Sequence, residues 1–196
     1  MSIILSNITK SYGDQMVLNN ISLDIARTET TVLMGKSGRG KTTLLRILAG
    51  LEVADTGTID FGLKSDTGTS PKISMVFQED RLCENLSALT NIRLVCPHID
   101  KDVVLRAIDA LDLCDGLHKP ARELSGGMKR RVAILRALLS DYDILIMDEP
   151  FKGLDEDTKR IVMDFVCAHI QEKTALIVTH DRREAEMLGA TNIIEL

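Results

Sequence analysis

The sequence predicts an α/β fold with a mainly parallel sheet, an N-terminal antiparallel β subdomain and an inserted α-helical subdomain. Three observations predict it. The consecutive apolar runs ILIM at 144–147 and ALIV at 175–178 are typical of strands covered on both faces of a parallel sheet. A glycine-rich segment at 35–42 lies between a strand pattern and a helix pattern. No strand pattern interrupts the helical region that we place at about 86–139.

Length and charge restrict the possible functions. The chain has 196 residues, the size of a single domain, and we treat 1–196 as one domain. With 24 basic and 29 acidic residues the net charge is −5, which argues against nucleic acid as a partner. No apolar run approaches the length of a membrane-spanning helix, and the four cysteines form no metal-binding or redox spacing.

The first half of the chain is predicted to form strands, one helix and a polar connection. The segments SIILSNITK and MVLNNISLDI predict two antiparallel strands joined by a turn at Gly13 and Asp14. TTVLM predicts a third strand, and KTTLLRILAGL predicts a helix directly after the glycine-rich segment. The polar residues 52–72 predict loops and short edge strands, and ISMVF at 73–77 predicts another strand.

The second half is predicted to begin with helices and to continue with alternating strands and helices. Residues 86–115 have a helical pattern in which Val103, Val104, Ala107, Ile108 and Leu111 share one face. After the next helix, DILIMDEP, TALIVTH and TNIIEL predict strands, separated by the helical segments EDTKRIVMDFVCAHIQ and DRREAEMLG. Right-handed crossovers are expected between these parallel strands.

The segment GKSGRGKT, Gly35 to Thr42, predicts a phosphate-binding loop. It matches GxxxxGK[ST] and has the required strand before it and helix after it. Glycines allow backbone N–H groups to surround phosphate oxygens, and the helix N-terminus adds positive potential. Lys41 is expected to reach the outer phosphates and the Thr42 hydroxyl to bind Mg²⁺. Lys36 and Arg39 occupy free positions, where added positive potential and plain solvation are equally compatible with the pattern.

Two acids end the strand DILIMDEP, at the sheet edge where open parallel sheets bind ligands. Asp148 is the expected carboxylate on the Mg²⁺ side, and Glu149 is the expected general base for an attacking water. His180 and Gln78 end two other strands and are candidates for the γ-phosphate and for Mg²⁺ or the water. A single histidine is more often a structural hydrogen-bonding group than a catalytic one. Tyr12 is a candidate for stacking on a base, although a single surface tyrosine more often has no such role.

A second glycine-rich helix start occurs at Ser125, Gly126 and Gly127. Ser125 is a good N-cap, and the apolar residues that follow predict a helix buried on one face with free N–H groups at its start. An ordinary helix start explains this pattern as well as an anion site does. If it is an anion site, a simple solution is a nucleotide held by another copy in an isologous dimer.

With these motifs in this order, the chain resembles the nucleotide-binding subunit of an ABC transporter over nearly its whole length. The matching positions are Tyr12 for adenine stacking; Gly35, Lys36, Ser37, Gly38, Arg39, Gly40, Lys41, Thr42 and Thr43 of the Walker A loop; Gln78; Ser125, Gly126, Gly127 and Met128 of the signature; Asp148 and Glu149; Asp155; and His180. Met128 departs from the family pattern because the signature usually ends in glutamine.

The resemblance implies an ATPase that uses ATP and Mg²⁺, with Glu149, His180 and Gln78 at the reaction and with Thr42, Gln78 and Asp148 at the metal. It implies that the signature acts in trans, that Asp155 lies at the dimer seam, and that the partner is a second copy or a paralogous cassette. It further implies an integral membrane permease, a location on the cytoplasmic face of the cell membrane and, for an importer, an extracytoplasmic solute-binding protein.

Within the family, the segments MVFQEDRLCENLSALTNI, LSGGMKRRVAILRAL and DEPFKGLD favour importers of the nitrate, sulfonate and taurine type or of vitamin precursors. Two other functions stay open from the sequence. One is a soluble ATPase of the same family that serves cluster assembly or repair, and the other is a nucleotide-gated subunit without useful hydrolysis. Glu149 argues against the second of these.

Overall fold

The computed structural model describes residues 2–62 and 70–196. From residue 126 onward helices and strands alternate, as the sequence predicts. In chain order the elements are β1 (Ser2–Tyr12), β2 (Gln15–Ala26), β3 (Thr30–Met34), α1 (Lys41–Leu48), β4 (Thr56–Asp60), β5 (Ile73–Val76), α2 (Ala88–Arg93), α3 (Lys101–Ala110), α4 (Gly126–Leu138), β6 (Ile144–Asp148), α5 (Glu156–Ile170), β7 (Thr174–Val178), α6 (Arg182–Met187) and β8 (Asn192–Glu195).

A parallel sheet with strand order β5-β6-β7-β3-β8 forms the centre of the protein. All four strand pairs in it are parallel. The carboxyl ends of β3, β6 and β7 therefore meet at one edge, which is the edge where the glycine-rich loop and the two acids leave the sheet. The predicted α/β class and parallel sheet are confirmed.

The N-terminal antiparallel sheet has the order β2-β1-β4. Ile3 pairs with Ile25 across β1 and β2, and Leu5 pairs with Ile59 across β1 and β4. The strand β4 lies within the polar region 52–72 where short edge strands are predicted. The rest of that prediction falls partly on residues 63–69, which lie outside the described residues.

The two faces of the parallel sheet are covered by different hydrophobic clusters. Leu145 and Met147 of β6 pack in the cluster that contains the helices α2 to α5, whereas Ile144 and Ile146 pack with the antiparallel sheet and α1. Successive side chains of a strand point to opposite faces, so burial on both faces requires consecutive apolar residues. This is why ILIM and ALIV have no alternating pattern.

The helical region differs from the sequence prediction in detail. Helices α2 and α3 are short and are separated by an irregular segment, and two 3₁₀ turns, Cys114–Gly116 and Ala121–Glu123, precede α4. The prediction that Val103 shares the buried face of α3 is wrong, because its side chain is 40% exposed while Val104 is fully buried. Leu105 instead packs against the core from the following position. None of the helices that the structure describes combines the length and hydrophobicity that a membrane crossing requires.

A buried asparagine organises the start of the helical region. Asn91 of α2 is completely buried, and its side-chain oxygen accepts a hydrogen bond of 2.8 Å from the Cys83 N–H. Its amide group donates to the carbonyls of Cys83, Leu86 and Ser87 at 3.1, 3.2 and 3.0 Å. Buried polar groups of an irregular segment need such partners, because unpaired they cost free energy. Asn91 thus fixes the loop that leads from β5 to α2.

We expect Asn91→Ala to lower the free energy of unfolding by about 3 kcal/mol, because it leaves buried backbone groups without partners. Asn19→Ala, at an exposed position of β2, is the matched control and should change stability by less than about 0.5 kcal/mol. Urea denaturation followed by circular dichroism measures both values. Equal midpoints for the two variants would contradict a structural role for Asn91.

Candidate functional site

The glycine-rich segment forms a loop between β3 and α1 that has the backbone geometry of a phosphate cradle. Gly38 and Gly40 both have φ near +81°, a conformation that favours glycine. A Cβ atom on Gly40 would lie 2.6 Å from a methyl group of Leu18 and 2.7 Å from the Val17 carbonyl oxygen, so β2 leaves no room for a side chain there. The first turn of α1 follows directly and presents its N–H groups to the same space.

Lys41 places a positive charge inside this loop. Its side chain is buried, and its ammonium group donates to the Gly35 and Lys36 carbonyls at 2.7 and 2.9 Å. A cation held there with backbone N–H groups around it is suited to bind the outer phosphates of a nucleotide. Lys36 itself is exposed but lines the cavity, whereas the exposed Arg39 is not among the lining residues.

The carboxyl end of β6 lies next to this loop. The Thr42 hydroxyl donates a hydrogen bond of 2.6 Å to Oδ2 of Asp148, the last residue of the strand. Burial raises the pKa of the Asp148 carboxyl above its usual value; the Thr42 hydrogen bond opposes this rise, and the Glu149 charge adds to it. A hydroxyl and a buried carboxylate that lie side by side are a suitable pair of oxygen ligands for a hard divalent cation.

Glu149 follows Asp148 in a backbone conformation that is unusual for a residue with a side chain. Its φ is +46°, and its N–H donates to the Val178 carbonyl of β7 at 3.0 Å. Such strain costs free energy and occurs often at functional sites. The conformation turns the carboxylate into the cavity, where Oε1 lies 3.9 Å from Nδ1 of His180 and Oε2 lies 2.9 Å from the ammonium group of Lys152.

These groups surround one cavity of about 650 Å³. It brings together most of the predicted nucleotide-binding and catalytic residues from five parts of the chain. The lining residues are Val17, Gly35, Lys36, Ser37, Gly38, Gly40, Lys41, Thr42, Thr43, Gln78, Asp148, Glu149, Lys152 and His180.

Val17 and Lys152 are the lining residues that sequence reasoning missed. Val17 reaches the cavity because β2 packs against the loop at Gly40, a contact between distant segments that no local pattern reveals. Lys152 lies three residues after Glu149, and that spacing of opposite charges was its only signal in the sequence. It neutralises part of the negative charge that two adjacent carboxylates place at the sheet edge.

Tyr12 lies outside the group of lining residues. It ends β1, its side chain is 46% exposed, and its hydroxyl donates to Oε2 of Glu52 at 3.1 Å. The Lys10 ammonium lies 5.2 Å from the ring centroid, within the distance of a cation–π contact. Stacking of Tyr12 on adenine stays a prediction.

The signature residues also lie outside this cavity, at the start of α4. The Ser125 hydroxyl caps the helix by accepting a hydrogen bond of 3.2 Å from the Met128 N–H, as predicted. Ser125 and Gly126 are exposed, and a Cβ on Gly126 would meet no atom within 4 Å. Met128 instead packs inward, since a Cβ on Gly116 would come within 2.1 Å of its terminal methyl group.

Asp155 lies close to this helix start. It is the N-cap of α5, and its carboxylate accepts a hydrogen bond of 2.9 Å from the Thr158 N–H, which lowers the pKa of the Asp155 carboxyl. The preceding Leu154 approaches Gly127, whose Cβ position lies 3.6 Å from a Leu154 methyl group. The two helix N-termini therefore border one surface of the chain.

Within residues 2–62 and 70–196 there is no group of three or more His, Cys, Asp or Glu side chains that could hold a metal by themselves. A cation at Thr42 and Asp148 would need further oxygen ligands, and nucleotide phosphates supply such ligands. A phosphate-binding loop with a buried lysine beside this hydroxyl–carboxylate pair is characteristic of a P-loop nucleoside triphosphatase.

Comparison with known proteins narrows this class. The family model described as ABC transporter matches residues 18–152, and the chain belongs to this family. It is similar to the aliphatic sulfonates import ATP-binding protein SsuB 2 of Burkholderia lata, with 38% identity over 92% of this chain and 67% of the relative. The corresponding values for SsuB 1 of Agrobacterium fabrum are 42%, 93% and 67%. For the phosphonates import ATP-binding protein PhnC 1 of Natronomonas pharaonis they are 37%, 94% and 85%.

Solved structures agree with the family. The dimeric structure of MJ0796, a bacterial ABC transporter cassette, superposes with a TM-score of 0.84 at 31% identity and covers 99% of this chain and 94% of that chain. A post-hydrolysis state of the same cassette, bound to ADP and Pi, has a TM-score of 0.83 at 30% identity with the same coverage. The chain is an ATP-binding and ATP-hydrolysing subunit of an ABC transporter, as predicted from its motifs.

We expect Asp148→Asn to stabilise the nucleotide-free protein at neutral pH by about 1 kcal/mol, because it removes a buried charge. A carboxyl whose folded-state pKa is raised binds its proton more tightly when folded, so its cost is absent below the ordinary value of 3.8 and appears as the pH rises through the raised value. Urea denaturation between pH 4.5 and 8 should therefore show the gain increasing with pH.

Asp141→Asn is the control of opposite sign. A hydrogen bond from Lys72 lowers the pKa of the exposed Asp141 carboxyl. Removal of this carboxylate by Asp141→Asn should therefore lower the free energy of unfolding at neutral pH. A gain for Asp148→Asn that is the same at every pH would show that the burial of its charge is not the cause.

Proposed function

We propose that this chain powers an importer by binding ATP between two copies packed head to tail beneath a membrane permease. The observation that carries this proposal is the separation of the ATP-handling residues onto two surfaces. Most of the loop Gly35–Thr43 and the acids Asp148 and Glu149 line one cavity, whereas Ser125 and Gly126 lie exposed outside it and Gly127 is half-buried. A nucleotide that contacts both surfaces would then be shared by two chains, and two-fold symmetry would create two equal sites.

In this proposal the loop and Lys41 bind the triphosphate. The positive φ values of Gly38 and Gly40 support it, because they turn backbone N–H groups toward the space beside the buried ammonium. Val17 supplies an apolar wall for the ribose or base side of the nucleotide. Tyr12 would stack on the adenine from the end of the same antiparallel sheet.

Mg²⁺ fits the oxygen pair formed by Thr42 and Asp148, whose side chains already share a hydrogen bond of 2.6 Å. The ion supplies positive charge that stabilises the charge developing on the phosphate oxygens during hydrolysis. Gln78, which lines the same cavity, would supply an amide oxygen to this ion or orient the water. Burial of Asp148 favours this role, because a divalent cation offsets the cost of its buried negative charge.

Glu149 would accept a proton from the water that attacks the γ-phosphate. The water oxygen forms the new bond to phosphorus as the bond to the bridging oxygen of ADP breaks. The strained backbone at Glu149 and the Lys152 ammonium at 2.9 Å hold its carboxylate in the cavity. His180, whose ring is 3.9 Å from that carboxylate, would contact the γ-phosphate or the water from the neighbouring strand.

The second copy would close the site with the start of its helix α4. Ser125 and Gly126 are exposed, and the helix N-terminus offers N–H groups and positive potential to a γ-phosphate. Met128 has no side-chain amide to offer, and its side chain packs against Gly116. Asp155 would lie at the seam between the two copies, next to that helix start. Similarity to a cassette whose structure is dimeric supports this arrangement.

We expect Glu149→Gln to abolish ATP turnover and to yield an ATP-dependent dimer on gel filtration, because ATP stays bound without hydrolysis. Adding Ser125→Asp in the same background should prevent the dimer. Aspartate still caps the helix, but its charge repels the partner's γ-phosphate. Nucleotide affinity of the monomer, measured by fluorescence titration, should not change.

Ser125→Thr is the matched control, since it keeps both the cap and the neutral hydroxyl, and it should still dimerise. Two results would contradict the proposal. Equal turnover by wild type and Glu149→Gln would exclude Glu149 as the base, and an equal loss of monomer affinity in Ser125→Asp would exclude action in trans.

For the cargo we propose a small sulfonated organic anion. Two of the three relatives described above are import proteins for aliphatic sulfonates and the third for phosphonates, so both cargo classes are small organic acids. The working complex would contain an integral membrane permease at the cytoplasmic face and an extracytoplasmic solute-binding protein, with a second copy of this chain or a paralogous cassette. Because these relatives are import proteins, they favour an importer subunit over a soluble ATPase of cluster assembly or repair.

We expect the chain to co-purify with a polytopic permease from detergent-solubilised membranes. Vesicles that contain this complex and its solute-binding protein should accumulate radiolabelled aliphatic sulfonate only with ATP, and Glu149→Gln should abolish the uptake. Uptake of a phosphonate but not a sulfonate would overturn the cargo and keep the importer. Absence of any associated membrane protein would contradict the importer itself.

A further inference from the structure

The orientation of His180 depends on the turn that follows β7. Its side chain is 71% exposed, and its ring lies 3.9 Å from the Glu149 carboxylate, which is beyond hydrogen-bond distance. A second cavity, of about 190 Å³, lies beside both side chains, so close packing does not fix the ring on that side. The backbone on either side of residue 180 therefore has to orient the ring toward a γ-phosphate.

The Thr179 hydroxyl closes this turn across His180. Thr179 is buried, and its hydroxyl oxygen accepts a hydrogen bond of 3.1 Å from the Asp181 N–H. The same hydroxyl donates a hydrogen bond of 2.5 Å to Oε2 of Glu184 in α6. A hydroxyl can donate and accept at the same time, so one side chain binds the residue after His180 to the residue before it.

Glu184 holds the Thr179 hydroxyl in place. Glu184 is buried, and its other carboxylate oxygen, Oε1, lies 3.1 Å from the ammonium group of Lys159 near the start of α5. The hydrogen bond with Glu184 raises the pKa of the Lys159 ammonium. A buried carboxylate is costly unless it has both hydrogen bonds and an opposite charge. Glu184 has a hydroxyl donor on one oxygen and a cation on the other, so it can remain ionised and fixed.

These three side chains can influence ATP only through their neighbours. Thr179, Glu184 and Lys159 are not among the residues that line the ATP cavity. They do line the smaller cavity, together with His180 and Glu149. The hydrogen bonds lead from Lys159 through Glu184 and Thr179 to the backbone beside His180, which does line the ATP cavity.

We propose that Thr179 and Glu184 are positioning residues that hold His180 in the orientation needed for ATP hydrolysis, with Lys159 balancing the buried charge of Glu184. With the hydroxyl in place, the turn keeps the His180 ring at the edge of the ATP cavity. Without it, the Asp181 N–H loses this partner and the ring gains access to the smaller cavity. This inference rests on the proposed function, because that function gives His180 its contact with the γ-phosphate or the water.

The first test measures turnover. Thr179→Val removes the hydroxyl from a side chain of nearly the same shape and should lower kcat about tenfold, while the ATP affinity of the monomer stays within about twofold of wild type. Thr179→Ser keeps the hydroxyl and should retain most of the turnover. Thr58→Val, at an exposed position of β4, is the matched control and should leave kcat unchanged. An unchanged kcat in Thr179→Val, or equal losses in the valine and serine variants, would overturn the proposal.

The second test separates positioning from stability. The double variant Thr179→Val/Glu184→Met removes the donor and the acceptor together, so its melting temperature should lie closer to wild type than that of Thr179→Val alone. Its kcat should stay as low as in Thr179→Val, because the turn still lacks the hydroxyl. A kcat that recovers together with the melting temperature would show that the pair serves stability only, and the proposal would fail.

The third test asks whether the effect passes through His180. In the His180→Ala background, Thr179→Val should lower kcat no further, because no ring is left to position. A second loss of about tenfold in that background would mean that Thr179 acts independently of His180, against the proposal.

The last test needs no turnover and no nucleotide. In NMR spectra of protein with isotope-labelled histidine, the His180 ring signal is the one that His180→Ala removes. Its chemical shift should differ from that of a free, exposed histidine in wild type and in Thr179→Ser, and should move to the free value in Thr179→Val. A signal that Thr179→Val leaves unchanged would overturn the proposal. If the wild-type chain hydrolyses no ATP, the proposed function fails, and this signal still decides whether Thr179 positions the ring.

Discussion

The structure depends on one constraint, which is that both faces of the parallel sheet are buried. Alternate residues of β6 pack into two separate hydrophobic clusters, so no side chain in the middle of the strand can face water. Polar chemistry is confined to the points where strands end. Asp148 and Glu149 follow β6, His180 follows β7, and the loop from Gly35 follows β3, so the parallel direction of these strands alone brings them to one edge.

The buried sheet edge has an electrostatic consequence. Burial raises the pKa of the Asp148 carboxyl, and Glu149 adds a second negative charge and backbone strain. The negative charge at this edge is partly offset by a hydrogen bond from the Thr42 hydroxyl and by the positive charges of Lys41 and Lys152. Part of the cost of burying these negative charges remains in the protein without a ligand. A bound cation would remove this cost, and the free energy gained would favour binding of a nucleotide together with the cation.

The helical region shares one hydrophobic cluster with the parallel sheet, and polar side chains fix the irregular segments of the region. Asn91 fixes the loop at 83–87, and Arg130 and Arg136 of α4 donate hydrogen bonds to backbone carbonyls of the irregular segment 77–81. Guanidinium and amide groups can bind several backbone carbonyls at once, which allows these irregular segments to be ordered close to the proposed ATP cavity.

The sequence by itself determined the fold class, the order of most elements and most of the residues that line the proposed ATP cavity. Those features depend on local patterns, such as the consecutive apolar runs of β6 and β7 and the glycine spacing of the phosphate loop, which the chain carries within about ten residues. Only the tertiary structure decided that Val17 lines the cavity, that Val103 is exposed, that Met128 packs against Gly116 and that Arg130 binds the backbone carbonyls of residues 77 and 78. Each of these depends on contacts between segments far apart in the chain or on the rotation of a helix about its axis, and neither is encoded in local spacing.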